Sequence, residues 1–325
     1  MSGDQEITKT YGNRHIVAPS PEKPLITFAL FAFNQEKFIE EAVRGAISQT
    51  YNPLEIIISD DCSQDNTFAI MEKCLEGYDG PHFITLRRNL ENQGLGRHFS
   101  IVCSRASGAL IIIAAGDDIS VPERTSRIVD RWQQKSRDIM ALESAYLRID
   151  QTGAALDLVI PKRAQPFPSQ RDVFSSNGWL VGATAAYDRR LFQSFPSIMP
   201  SVINEDVVML QRVFLSHARC ETIEEPLVKY RVGVGVSFQS PADRRQAARL
   251  RGSRAYTVYL QKLLDMQGYN QLANEAKIIR RMKHIIARDI IFSQGPSLSS
   301  ILESIKNCGI SATKGALMRY FRSVK

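Results

Sequence analysis

Two apolar runs of the chain each end in a pair of aspartates, and this pattern constrains the fold more than any other feature. The runs are LEIIISDD, from Leu54 to Asp61, and ALIIIAAGDD, from Ala109 to Asp118. Both are short, rich in Ile and without polar alternation, which is typical of strands buried on both faces of a parallel sheet. Because ligands bind at the carboxyl ends of such strands, we expect the four acids in one cleft. A divalent cation with a phosphorylated ligand would offset their repulsion.

Predicted strands and helices alternate along the first part of the chain, from residue 24 to 135. Strands are predicted at 25–33, 54–59, 83–86 and 109–114, and helices at 37–49, up to 75, at 94–106 and at 122–135. This alternation is typical of an α/β sandwich with right-handed crossovers. Later elements are strands at 139–150, 155–160 and 226–232, a short apolar segment at 179–187, and helices at 204–218 and over most of 241–325.

Charge is unevenly distributed along the 325 residues. Residues 241–325 contain 16 Lys and Arg against 5 acids, a net charge of +11, whereas the rest of the chain has a net charge of −4. Such a basic helical region can bind an anionic membrane surface or form a solvated helical face. The five cysteines are scattered without a CxxC pair, so neither zinc nor a disulfide framework is indicated and a reducing cytoplasm is expected.

An ordered series of short motifs covers residues 25 to 119. An apolar strand is followed by Asn34, a helix ending in SQTY at 48–51, a second strand and the Asp-Asp-x-Ser sequence at 60–63. An N-x-G segment, an A-x-G turn and the aspartates at 117–118 come next. In this order the motifs resemble glycosyltransferase family 2, and the resemblance extends to about residue 240.

The resemblance implies an α/β fold of the GT-A type, in which a mostly parallel, Rossmann-like sheet lies between helices, here with a C-terminal helical extension. It also implies a nucleotide-sugar donor and inversion at the anomeric carbon. We therefore predict a flexible N-terminal segment, a catalytic domain with nucleotide-binding and acceptor-binding halves, and a basic helical region. Their bounds are 1–23, 24–240 (halves 24–135 and 136–240) and 241–325.

Residues of the first half are assigned to the nucleotide by the resemblance. Asp61 would accept a hydrogen bond from the ring N–H of a pyrimidine, which favours a UDP-sugar donor, and Arg97 would lie near the donor phosphates. The residues that line the same side in relatives are Phe31, Ala32, Asn34 and Glu36. For Asp60 and Asp61 the structural alternative is a helix N-cap.

The Asp117–Asp118 pair resembles the family's DxD-type metal site, with Ala115 at the position of the first acid. By the usual placement Asp118 ligates Mn²⁺ or Mg²⁺, which prefer hard oxygen ligands, and Asp117 contacts the ribose or the donor sugar. Which acid does which is open. The structural alternative is a turn at the end of a strand.

The Glu205–Asp206 pair resembles the family's ED motif. An inverting transfer needs a general base opposite the leaving diphosphate, and Asp206 is expected to be that base, with Glu205 as an acceptor contact. The alternative is a helix start, where acids suit the helix dipole. Trp179 and Gly182 fall where relatives shape the acceptor pocket, although a buried core tryptophan is equally expected.

The sequence YRVGVGVS resembles a family segment near the diphosphate. A histidine often found there is absent, and Arg231 or Ser237 could substitute for it. The Q-x-x-R-W motif of processive synthases is also absent, since the nearest string, IVDRW, has Ile128 in place of Gln. No apolar run reaches the roughly 18 residues that a spanning helix needs. Transfer of a single sugar is therefore expected.

We thus expect an inverting, metal-dependent glycosyltransferase of polysaccharide, O-antigen or capsule-type biosynthesis, with a glycan or lipid-linked saccharide acceptor and no nucleic-acid partner. A cytoplasmic location is expected, and peripheral membrane contact and homo-oligomer formation are open. One alternative is a sugar-nucleotide nucleotidyltransferase, but FAFNQEKF lacks the Gly-rich basic loop that it needs. Another is a catalytically weak scaffold with the same fold, which Ala115 favours and the retained Asp118, Glu205 and Asp206 oppose.

Overall fold

The computed structural model describes residues 6–12, 18–134, 138–161, 180–234, 257–267, 272–294 and 297–324. Ten strands form one sheet in the order β1-β4-β3-β2-β5-β9-β7-β10-β6, and β8 pairs with β7. The strands are β1 (Glu6–Tyr11), β2 (Ile26–Ala32), β3 (Leu54–Asp60), β4 (Phe83–Asn89), β5 (Leu110–Ala115), β6 (Ile119–Ser120), β7 (Ile139–Ile149), β8 (Ala155–Val159), β9 (Ala185–Asp188) and β10 (Arg219–Arg231).

Helices cover both faces of the sheet. They are α1 (Ile39–Ile47), α2 (Thr67–Leu75), α3 (Leu95–Arg105), α4 (Arg124–Gln134), α5 (Arg190–Gln193), α6 (Glu205–Leu215), α7 (257–265), α8 (Leu272–Gln294), α9 (Leu298–Cys308) and α10 (Ile310–Val324). The predicted strands and helices of residues 24–135 are confirmed, with ends that differ by up to about three residues, as helix and strand ends commonly do.

The apolar runs form the centre of a mostly parallel sheet. Strand β2 pairs in parallel with β3 on one side and β5 on the other, and β4 continues the parallel arrangement beyond β3. Successive β2 residues face opposite sides, so that Ala29 and Phe31 join one hydrophobic core while Phe28 and Leu30 join the other. Burial on both faces explains why these strands lack polar alternation.

The first strand, β1, differs from the expectation that residues 1–23 are flexible. Residues Glu6–Tyr11 pair antiparallel with β4 at the edge of the sheet. The inner four side chains of β1 are exposed, so the segment has no apolar pattern that would reveal a strand. Its pairing with β4, together with ion pairs from Lys9 to Glu72 and from Glu6 to Arg87, holds it in place. The division of the chain after residues 23 and 240 is otherwise untested and stays a prediction.

The C-terminal part contains the helices that its composition predicts. Helices α8, α9 and α10 pack around a small core that includes Ala287, Ile291 and Ala312. In contrast, α7 packs against α6, because Asp265 on α7 forms a buried ion pair of 2.8 Å with Arg212 on α6. Within the described ranges, no helix is both long and apolar enough to cross a membrane.

Candidate active site

The two aspartate pairs lie at the same edge of the sheet, on either side of β2. In the sheet register Ala32 at the end of β2 is opposite Asp60, and Phe31 is opposite Ala115. Beyond the strands, the N–H of Asp61 donates to the Ala32 carbonyl at 3.0 Å and that of Gly116 donates to the Phe31 carbonyl at 2.8 Å. A Cβ on Gly116 would lie 3.0 Å from that of Ala32, so glycine permits this close approach. Both aspartate pairs thus follow strands that end at one edge of the sheet, whereas their expected grouping in one cleft stays a prediction and Asp60 is fully buried.

Asp60 fixes the turn that follows β3. Its carboxylate accepts hydrogen bonds from the backbone N–H and the hydroxyl of Ser63 and pairs with Arg88 at 3.2 Å. Burial raises the pKa of Asp60, and the bonds from Ser63 and the charge of Arg88 oppose that rise. Asp60 therefore has a structural role in this turn, but it is not the helix N-cap that was the alternative, because α2 begins only at Thr67 and its N-cap residue is Asn66.

Asp61 is held differently from Asp60. Its Oδ1 accepts hydrogen bonds from the Asn89 side chain at 2.7 Å and from the Gln93 backbone at 2.8 Å. Only 3% of the residue is exposed. Two donors on one oxygen fix the plane of the carboxylate, which is the preorganisation that recognition of a planar base requires.

The other residues expected at the nucleotide have mixed positions. Asn34, in the left-handed region at φ 52°, accepts from the Gln64 N–H and donates its own N–H to Ser63, so it ties β2 to the Asp60 turn. Glu36 accepts two hydrogen bonds from Asn66 at the start of α2. Phe31 is buried and its ring lies 5.6 Å from that of Phe99. These residues therefore support the loops at the ends of the strands. They are Phe31, Ala32, Asn34 and Glu36.

The Asp117–Asp118 pair divides into a half-exposed and a buried acid. Asp117 is half-buried, whereas Asp118 is 6% exposed and its Oδ1 accepts the backbone N–H of Arg231 at 2.7 Å. Burial raises the pKa of both carboxyls, and for Asp118 the charge of Asp117 adds to the rise. Arg124, buried behind them, has a pKa lowered by burial to about 9. Across the described residues, no group of three or more His, Cys, Asp or Glu side chains could hold a metal.

Arg231 has partners other than the expected diphosphate. Its guanidinium donates to the carbonyls of Asp117, Asp150 and Gln151 at 3.0–3.1 Å and forms an ion pair with Glu41. Its side chain is 1% exposed, and it also lies over the Phe38 ring. Because these contacts hold the Asp117–Asp118 turn, we assign Arg231 to the support of that turn.

The start of α6 brings two expected site residues together. A Cβ on Gly182 would lie 3.0 Å from Glu205 Oε1 and 3.7 Å from the Asp206 Cβ, so Gly182 faces the acid pair directly. Burial, with a further contribution from the Asp206 charge, raises the pKa of Glu205 to about 8. Asn204 makes no side-chain capping bond, which leaves these acids as the polar groups of the first turn.

Helix α7 contributes a buried lysine that the sequence did not reveal. Lys262 is 2% exposed, and burial lowers its pKa to about 7, with the charges of Asp206 and Asp265 opposing that shift. Its backbone carbonyl accepts from the Gln211 side chain at 2.8 Å, which fixes α7 against α6. Lys262 is one of sixteen basic residues in the C-terminal region, and no local pattern distinguishes it.

For three of the expected site residues the structure gives little or no information on their contacts. Arg97 is exposed on the first turn of α3. Trp179 and Ser237 lie outside the described residues, so their predicted roles at the acceptor and the diphosphate stay predictions. Conversely, Asn89 and Arg87 belong to the Asp61 end of the site, and neither was expected from the sequence. The N-x-G pattern begins only at Asn92, and no motif of the sequence includes Arg87 or Asn89.

Comparison with known proteins identifies the class that this fold and site define. The family model for glycosyl transferase family 2 matches residues 27–194, about half of the chain, and the chain belongs to this family. It is 26% identical over 208 residues to the "Putative glycosyltransferase EpsE" of Bacillus subtilis (strain 168), covering 64% of this chain and 73% of the relative. It is 25% identical over 217 residues to the succinoglycan biosynthesis protein ExoO of Rhizobium meliloti (strain 1021), covering 64% of this chain and 60% of that relative.

Solved structures show the same architecture. S. aureus TarS 1-349 in complex with UDP-GlcNAc has a TM-score of 0.54 at 16% identity, with 92% of each chain covered. The mannosyltransferase PcManGT from Pyrobaculum calidifontis, in complex with GDP-Man and Mn²⁺, has a TM-score of 0.54 at 16% identity, covering 95% of this chain and 82% of that one. The protein is therefore a glycosyltransferase with the GT-A fold, and the expected fold and family are confirmed.

Proposed function

We propose that the protein is an inverting glycosyltransferase that moves one sugar from a UDP-sugar to a glycan or lipid-linked saccharide. One observation carries the proposal: Asp61 and Asp117 flank the end of β2 at one edge of the sheet. There a base can meet a fixed carboxylate on one side while the diphosphate meets an acidic turn on the other. The names of relatives that bind UDP-GlcNAc or build succinoglycan support a nucleotide-sugar donor and a surface polysaccharide product.

Asp61 binds the nucleobase in this proposal. The ring N–H of uracil is a donor, so a carboxylate at the strand end is its natural partner. Asn89 and Gln93 hold the carboxylate before the base arrives, at 2.7 and 2.8 Å. Binding therefore costs little reorganisation of the protein, which favours affinity.

The acidic turn fits a divalent cation, because its side chains offer hard carboxylate oxygens and one of the two acids, Asp117, is only half-buried. Asp117 is the more exposed acid of the pair, whereas the Asp118 carboxylate accepts the Arg231 N–H. We therefore assign the cation to Asp117 and the support of the turn to Asp118, the reverse of the usual placement. When bound, Mn²⁺ or Mg²⁺ would act as a Lewis acid that neutralises charge on the departing diphosphate.

Asp206 is the general base of the proposed reaction. Since the pKa of Glu205 is raised to about 8, Glu205 carries its proton at neutral pH and the charge of the pair resides on Asp206. Asp206 takes the proton of the acceptor hydroxyl as that oxygen attacks the anomeric carbon. Protonated Glu205 can donate a hydrogen bond to the acceptor. Gly182 lies directly beside the pair, where a side chain would crowd the Glu205 carboxylate.

The proposal is tested by titrating the protein calorimetrically with UDP, CDP and GDP, each with and without Mn²⁺, and then by screening UDP-sugars for slow hydrolysis. We expect metal-dependent binding with a preference for UDP. An absence of nucleotide binding under all conditions would favour the scaffold alternative. Formation of a sugar nucleotide from a sugar phosphate and a nucleoside triphosphate would instead favour the nucleotidyltransferase.

The C-terminal helices lead us to propose peripheral attachment at the cytoplasmic membrane face. Large apolar side chains are exposed on α9 and α10, including Leu298 at 74% and Ile310 at 71%. They lie in the region with a net charge of +11. Each Lys or Arg close to an anionic lipid surface contributes about 1 kcal/mol, so a few of them would hold the protein beside a lipid-linked acceptor.

Co-sedimentation with neutral and anionic liposomes, at low and high salt, tests the attachment. We expect salt-sensitive binding to anionic liposomes that weakens when Lys306 and Lys314 are both changed to Gln. The matched control changes two exposed arginines of the catalytic domain, Arg44 and Arg127, to Gln, and we expect it to bind as the wild type does. Equal binding to both liposome types, or none, would leave these helices with a packing or dimer-forming role.

A further inference from the structure

Arg87 is a fully buried cation beside the nucleobase end of the site. Its Nε and one terminal nitrogen donate to Glu6 Oε2 on β1, at 2.9 and 2.6 Å. The same terminal nitrogen donates to Asn89 Oδ1 at 2.5 Å, and the other donates to Ser59 Oγ at 2.6 Å. All three guanidinium nitrogens thus donate hydrogen bonds, and these bonds fix the orientation of the guanidinium plane.

Ser59 completes the shell around the guanidinium. Its hydroxyl oxygen accepts from Arg87 and also lies 2.5 Å from His98 Nε2, and the tautomer of the imidazole decides which of these two groups donates. Burial lowers the pKa of His98 to about 3, so the ring is neutral and Nε2 can accept. These contacts leave Arg87 with one anionic partner, Glu6, which also pairs with Arg105 at 2.9 Å.

Asn89 connects Arg87 to Asp61. With its Oδ1 fixed by Arg87, the amide must turn its Nδ2 the other way, where it donates to Asp61 Oδ1 at 2.7 Å. The path from β1 to the site therefore has three contacts, Glu6 to Arg87, Arg87 to Asn89 and Asn89 to Asp61. At each contact of this path a donor meets an acceptor. The orientation of the Arg87 guanidinium and of the Asn89 amide therefore follows from the position of Glu6 on β1.

The charges of this path explain why β1 is needed. A buried guanidinium without an anion is strongly unfavourable, and the two nearest carboxylates of the path are Glu6 and Asp61. If Glu6 were neutral, Asp61 would be drawn toward Arg87 as its counter-ion. An Asp61 carboxylate committed to Arg87 could no longer accept the N–H of a base.

We propose that β1 completes the nucleobase site: Glu6 is the counter-ion that keeps Arg87 from capturing Asp61, and Arg87 positions Asp61 through Asn89. Glu6 and Arg87 are positioning residues that do not touch the nucleotide. This inference rests on the proposed role of Asp61. It places a strand outside the matched family region, residues 27–194, in control of base recognition.

The test compares Glu6→Gln with Lys9→Gln, which removes a different ion pair from the same strand, the one with Glu72. The readout is the ratio of UDP to CDP affinity by calorimetry, since N3 of cytosine carries no hydrogen to donate. We expect Glu6→Gln to lower the ratio by about tenfold, in line with a hydrogen bond to a charged group, and Lys9→Gln to leave it unchanged. A merely structural role of β1 would weaken the binding of both nucleotides equally and leave the ratio intact.

Two further variants keep the outcomes distinct. Asn89→Ser removes the donor to Asp61 without touching the Glu6–Arg87 pair, and it decides the matter if Glu6→Gln does not fold. Asp61→Asn reports on the proposed function itself. Suppose that Asp61→Asn lowers the ratio of UDP to CDP affinity and Glu6→Gln leaves it unchanged. That result would overturn this inference but not the proposed role of Asp61. Asn89→Ser takes the place of Glu6→Gln in this comparison if Glu6→Gln does not fold. A ratio unchanged by Asp61→Asn would overturn the assignment of the base to Asp61.

Discussion

The acids at the end of β3 and the acids at the start of α6 lie in very different surroundings. Asp61 has two donors on one oxygen, and Asp60 has two from Ser63 and an ion pair with Arg88. Glu205, in contrast, lies in a desolvated position beside a second acid, and its pKa rises to about 8. In the sequence, each of the two regions is simply a pair of adjacent acids.

The difference matches the two tasks that we propose. A carboxylate that recognises a base must be fixed in orientation, and hydrogen-bond donors achieve this. A carboxylate pair that handles a proton needs pKa values pushed apart near the working pH, and desolvation with mutual repulsion achieves that. The Asp117–Asp118 turn lies between these cases, with one acid committed to Arg231 and the other half-exposed.

The largest expected effect is on the proton-handling region. Asp206→Asn keeps the shape of the side chain but removes its ability to accept a proton. We expect turnover to fall by roughly 10² or more, the usual contribution of general-base catalysis, with little change in UDP affinity. Single-turnover kinetics with a hydrolysable donor and an acceptor extract would measure it. Near-wild-type turnover would show that Asp206 is not the general base. The difference in surroundings between the α6 acids and the β3 acids would then not reflect two different functions.

A smaller effect is expected at the intermediate turn. Asp117→Asn should lose most of the gain in UDP affinity that Mn²⁺ provides, about ten- to a hundredfold if one charged contact is worth roughly 1.5–3 kcal/mol. The matched Asp118→Asn variant should keep more of that gain and lose thermal stability, because Asp118 supports the turn from inside. Titrations with and without Mn²⁺, and melting curves, separate the two. The opposite pattern would return the cation to Asp118.

The smallest expected effect concerns pH. The folded-state pKa of Glu205 lies above its unfolded value, so its neutral form stabilises the fold at low pH. That stabilisation is fully present below about pH 4.5 and is lost as the pH rises through about 8. The melting temperature of the wild type should therefore fall relative to that of Glu205→Gln over this range. Parallel melting temperatures at all pH values would contradict the desolvation of Glu205.

Some features of the site were predictable because they depend on local sequence. The runs before Asp60 and Asp117 are apolar on both faces, so they had to be central strands, and acids after such strands had to lie at the ligand-binding edge. The start of α6 at Glu205 was likewise predicted from helical spacing and first-turn acids. The Pro-Leu-Val stretch predicted the end of β10, but the polar first part from Arg219 was missed because all of its side chains except the buried Cys220 are half-buried or exposed.

Adjacent acids are interchangeable in the sequence, and only distant partners distinguish them. The local pattern could not choose between Asp117 and Asp118, because the N–H that binds Asp118 comes from Arg231 at the end of β10. Lys262 is buried only because α7 packs on α6, and the polar β1 is a strand only because β4 offers it an edge. The sequence by itself determined which segments are buried and where the acids fall along them, since burial follows local hydrophobicity. The tertiary structure alone decided the charge and orientation of each acid, because electrostatic surroundings are built from residues far apart in the chain.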